Sequence, residues 1–71
     1  MKKLLRSNLV HKRLEKKALN RSRQTTGSLS DYWDRKYYYH QDIIDTQQQL
    51  GRVLSKSERA KIWKNTRPGG F

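Results

Sequence analysis

The 71-residue sequence contains no cysteine, which excludes both a disulfide framework and a thiolate zinc site as staples for a small fold. Apolar residues are also scarce, at 32%, so a chain of this length has little to offset its conformational entropy and only a marginal core of its own. No run approaches the roughly 18 apolar residues of a membrane span. Acids are few. Six Asp and Glu stand against 17 Lys and Arg, for a net charge of +11. A compact state so charged repels itself, and binding a polyanion relieves the repulsion. The opening Met1-Lys2-Lys3-Leu4-Leu5 has the look of a secretory start, but Arg6, His11, Lys12 and Arg13 interrupt any apolar region. Export is therefore not expected, although an organellar transit segment shares this shortage of acids. The expectation is a soluble, intracellular chain without a membrane partner.

Charge divides the sequence into three parts within one domain. Residues 1–27 carry +8, residues 28–51 carry −2 and residues 52–71 carry +5. The first is a basic arm, expected to be helical from about Lys3 to Asn20, since Leu, Lys, Arg and Ala dominate it without Pro or Gly. Its apolar pattern is poor: Val10, Leu14 and Ala18 share one stripe while Leu5, Leu9 and Leu19 fall elsewhere. A helix polar on most sides needs an external partner. Gln24-Thr25-Thr26-Gly27 ends it.

The second part has the best helical pattern. Ser28 is the candidate N-cap, with Asp31 and Asp34 suited to the positive helix start. Leu29, Tyr32, Tyr39, Ile43, Leu50 and Val53 follow a 3,4 spacing that predicts a face for neighbouring proteins, and Gly51 is the natural terminator. Ser55-Lys56-Ser57-Glu58 has the pattern of a capping box that opens a third, basic helix to about Lys64. Asn65 to Phe71, with Pro68 and two glycines, predicts an extended tail. The fold class expected is all-α, a small elongated protein of two to three helices.

Catalysis and metal binding find no support in this pattern. His40, Asp42 and Asp45 are close in sequence, but helical geometry puts His40 and Asp42 on different faces. His11 is distant, with Glu15 as its nearest carboxylate. A chain this small hardly encloses a pocket. These residues are expected to be solvated, with no catalytic, metal, cofactor or small-molecule site.

The cations are the candidate binding residues: Lys2, Lys3, Arg6, Lys12, Arg13, Lys16, Lys17, Arg21 and Arg23 in the arm, and Lys56, Arg59, Lys61, Lys64 and Arg67 beyond it. A solubilising face mixes both signs, whereas Glu15 is the one acid among the first 27 residues, so polyanion binding is favoured. Arg21, Arg23 and Arg67 offer the planar, bidentate head suited to phosphate and guanine. Tyr37-Tyr38-Tyr39 point to three faces of a helix, so they cannot all be core. Tyr32, Tyr39 and Trp63 are assigned to packing, and Tyr37 and Tyr38 are the candidates for stacking on unpaired bases.

Short segments resemble one family. Lys12-Arg13-Leu14-Glu15-Lys16-Lys17, then Ser28-Leu29-Ser30-Asp31-Tyr32-Trp33, then Thr66-Arg67-Pro68-Gly69 follow the order of features in the amino-terminal half of the small-subunit ribosomal protein family numbered fourteen, particularly its organellar members. The family's Gly between Thr and Arg is missing here, and the sequence ends where the family's carboxy-terminal half, with its zinc site when present, would begin. The resemblance implies an elongated helical protein bound to small-subunit ribosomal RNA, in the cytoplasm or a mitochondrion. The function expected is thus a non-catalytic structural role on RNA, in preference to DNA. Two rivals stand beside it. One is a helix-turn-helix-like regulator from a phage or mobile element, reading DNA through Lys56, Arg59 and Lys61, although Arg52 sits where such turns usually bury an apolar residue. The other is a small inhibitor or adaptor that binds an acidic protein surface.

Overall fold

The computed structural model describes residues 2–66. It is all-helical: α1 (Lys2–Gln24), α2 (Gly27–Leu50) and α3 (Lys56–Asn65), within a body of 38 × 21 × 17 Å. The two long helices lie antiparallel. Ser22 near the end of α1 donates to Asp34 at 3.3 Å, while Gln47 near the end of α2 donates to Asn8 at 2.8 Å. Helix α3 folds back onto α2.

Helix α1 runs one turn beyond the expected Asn20. Thr25 Oγ1 caps it, donating to the Arg21 carbonyl at 2.8 Å, and Arg21 and Arg23 in the last turn suit the negative end of the dipole. The expected start of α2 at Ser28 is corrected by one to two residues. Thr26 is the N-cap, with no side-chain cap bond, and Gly27 already belongs to the helix at φ 65°. That left-handed value at the interhelical corner suits glycine. Gly51 ends α2 as expected, at φ 70°, with its N–H on the Gln47 carbonyl at 2.8 Å. The capping box of α3 is also present: Glu58 N–H donates to Ser55 Oγ at 3.3 Å, and Ser55 N–H to Glu58 Oε1 at 2.9 Å.

The interior departs from the expected apolar stripes. Among the described residues, the buried apolar side chains are Ala18, Ile43, Ile44 and Leu54, and as many polar ones are buried beside them: His11, His40, Gln47 and Thr66. Of the stripe expected on α2, Leu29, Tyr32, Leu50 and Val53 are exposed, and Ile43 alone is fully covered. On α1, Val10 and Leu14 are exposed while Ala18 is buried. A partner helix approaches most closely where side chains are small, so the α1 contact runs through Ser7, His11 and Ala18 rather than through the leucines. The expected solvation of His11 and His40 is likewise corrected, since both are buried.

Candidate nucleic-acid interface

Because α1 turns His11 and Ala18 toward α2, its remaining faces carry its charge outward. Lys2, Lys3, Arg6, Lys12, Arg13, Lys16, Lys17, Arg21 and Arg23 are all exposed. Arg13, Lys16, Lys17 and Arg21, with Asn20 and Gln24, line one shallow groove along the second half of the helix. These residues recur three and four apart, so one cylinder face presents them together. The ion pair among the described residues, Arg52–Glu58 at 2.8 Å, involves no residue of α1.

The cations of α3 divide. Lys56, Lys61 and Lys64 are exposed and Arg59 is half-buried, and Lys56 and Arg59 also line a different groove, between α2 and α3. Arg67 lies outside the described residues, as does the tail beyond Thr66. Tyr37 and Tyr38, the expected stacking pair, are half-buried and meet each other edge-on, with ring centroids 5.1 Å apart. Tyr37 borders a small cleft against Lys12, Glu15, Lys16 and Leu19 of α1.

The groove between α2 and α3 has a volume of about 600 Å³. Tyr32, Tyr39 and Trp63 supply its aromatic wall, Leu14 and Ala60 its aliphatic part, and Lys36, Lys56 and Arg59 its charge; no acid lines it. The aromatics pack as expected: Trp63 meets Tyr39 at 5.2 Å and Tyr32 at 6.1 Å, both edge-on. Arg35 holds α3 in place from behind. Its guanidinium lies 4.0 Å from the Trp63 ring centroid, and its Nη2 donates to the Trp63 carbonyl at 2.6 Å. The buried Arg35 Nε has no hydrogen-bond partner among the described residues. Tyr32 is 43% exposed, and the Lys36 amine lies 5.6 Å from its ring centroid.

Next to this groove, His11 Nδ1 and His40 Nδ1 are 2.9 Å apart. Sequence reading missed the pair because 29 positions separate them. The hairpin supplied the signal, since each stands 14 residues from the Thr25–Thr26 break. Burial lowers the pKa of both rings. For His40 the neighbouring His11 and Lys36 add to it, giving about 4, and Arg59 adds to it for His11. Both are therefore neutral at pH 7, and one ring donates its proton to the other. Among the described residues, no group of three or more His, Cys, Asp or Glu is placed to hold a metal ion. None of the described helices is long and apolar enough to cross a membrane.

No family model, curated protein or solved structure matches the chain.

Proposed function

We propose that the protein is a non-catalytic, structural RNA-binding protein that lies along RNA backbone through the outward face of α1, with the small ribosomal subunit as the particle its family resemblance implies. The observation that carries this function is the set of nine exposed Lys and Arg side chains on α1, four of which share one groove. Spaced along about six helical turns, they match an extended row of phosphates better than a single compact anion. RNA is favoured over duplex DNA by the disposition of α3. A reading helix presents its cations on one outward side, whereas here Lys56 and Arg59 border the groove against α2. The exposed apolar residues Leu29 and Leu50 of α2, with Val53 just beyond it, suit a neighbouring protein in the same particle.

Sedimentation of the tagged protein from cells through a sucrose gradient tests this function. Co-migration with a large ribonucleoprotein in high salt, abolished by ribonuclease, is expected. Migration as a free protein, with or without ribonuclease, would count against it.

A further inference from the structure

The groove between α2 and α3 is not explained by backbone contacts along α1. It combines three features that phosphate neutralisation alone does not call for: an aromatic wall of Tyr32, Tyr39 and Trp63, a rim of Lys36, Lys56 and Arg59, and the absence of any lining acid. At about 600 Å³ it falls in the size range of sites that enclose small organic groups. Trp63 is fixed from behind by Arg35 and edge-on by Tyr39 and Tyr32, so the wall is built before any ligand arrives. Tyr32 is the ring left most open, at 43% exposed.

We propose that this groove seats an unpaired nucleobase of a bound single-stranded RNA segment, stacked on Tyr32, with the flanking phosphates held by Lys36, Lys56 and Arg59. The proposal rests on RNA as the partner and moves base stacking from Tyr37 and Tyr38, half-buried and packed edge-on against each other, to Tyr32. Charge complementarity selects the occupant. A purely apolar peptide would leave three cations unpaired, and an acidic peptide would make no use of the open aromatic ring. A nucleotide uses both, its base on the ring and its phosphate on the rim. The Lys36 amine, 5.6 Å from the Tyr32 centroid, sits on a flexible stem and can turn from the ring to a phosphate as a base arrives.

Binding of a single-stranded RNA hexamer containing 2-aminopurine, beside a duplex RNA of equal phosphate number, tests the proposal. The wild-type protein is expected to quench the 2-aminopurine. Tyr32→Ala should lose the quench and weaken single-strand binding roughly ten-fold or more, while duplex binding stays within about two-fold. Tyr32→Phe should restore both. Because Tyr32 also touches Trp63, a second variant, Lys36→Gln with Lys56→Gln, leaves the wall intact; it should make the single-strand log–log salt slope shallower by about 1.4. The groove proposal is overturned, with RNA binding intact, if Tyr32→Ala quenches and binds the hexamer like wild type, or if the Lys36/Lys56 variant keeps the full slope. It is also overturned if polyglutamate displaces the hexamer as effectively as unlabelled RNA does. A wild-type protein that binds neither RNA would overturn the broader function and the groove together.

Discussion

His11 and His40 face each other across the α1–α2 contact with their Nδ1 atoms 2.9 Å apart, one on each arm of the hairpin. At neutral pH one proton lies between them. Protonating both rings turns the hydrogen bond into two opposed N–H groups, in a setting where Lys36 of α2 and Arg59 of α3 already disfavour positive charge.

Acid should therefore loosen the hairpin. Both histidines titrate lower in the folded protein than in the unfolded chain, so the unfolded state binds more protons as pH falls. The stability they contribute is complete above about pH 6.5 and is lost as pH falls toward the value of about 4 held by His40. The loss from His40 is expected to reach at most about 3 kcal/mol. Urea denaturation at pH 7.5 and pH 5 measures it. His40→Phe should flatten the dependence in this window, whereas an unchanged dependence in that variant would show that other groups cause it. Glu58 acts at lower pH. Hydrogen bonding to Arg52 and Ser55 holds its carboxyl at about 2, so its contribution is lost only as pH falls below about 4.5.

Gln47 of α2 ties α1 and the loop that leads to α3 at one point and should be the most sensitive single position. It is fully buried, and its amide is fully used: Nε2 donates to Asn8 Oδ1 at 2.8 Å and Ser7 Oγ at 3.2 Å, while Oε1 accepts from Leu54 N–H at 3.1 Å and from Ser7 Oγ at 3.3 Å. Gln47→Leu keeps much of the volume but strands the buried Leu54 N–H and the Asn8 side chain. An unsatisfied buried group of this kind costs about 1–3 kcal/mol, which for a domain of this size lowers Tm by roughly 10 °C. Neighbouring Gln48 and Gln49 are exposed, so the same substitution there should shift Tm by less than about 2 °C. Equal effects at the three positions in thermal melts would contradict this role for Gln47.

Local signals in the sequence were reliable where a single residue or a short box determines them. Gly51 terminates α2, and Ser55 with Glu58 opens α3, because each acts on backbone groups within a few positions. The register of α1 against α2 was not legible in the same way. Hydrophobic spacing put Val10 and Leu14 on one poor stripe of α1, and Leu29 and Leu50 on a face of α2 for neighbouring proteins, and it gave no register for the hairpin, which closes on Ser7, His11, Ala18, His40, Ile43 and Gln47. With so few apolar residues, the close approach of small side chains and the pairing of buried polar groups decide the register, and such pairs span too much sequence to show as periodicity. The candidate interface was partly legible. The α1 cations were found by composition, since the scarcity of acids leaves them unpaired in any helical register. The groove of Lys36 and Tyr32 has no such signal, because only the return of α3 over α2 brings them together.

The salt dependence of RNA affinity tests the central claim most directly. If about five α1 cations meet phosphates, the log–log slope for single-stranded RNA should include a term near −3.5, at roughly 0.7 per contact. Changing Lys12, Arg13, Lys16 and Lys17 together to Gln preserves helix propensity and should remove most of that slope. The same change at Lys56, Arg59, Lys61 and Lys64 should cost less. Loss of binding with the α3 set, while the α1 set leaves both affinity and slope intact, would contradict RNA binding through α1 and favour a reading helix in its place.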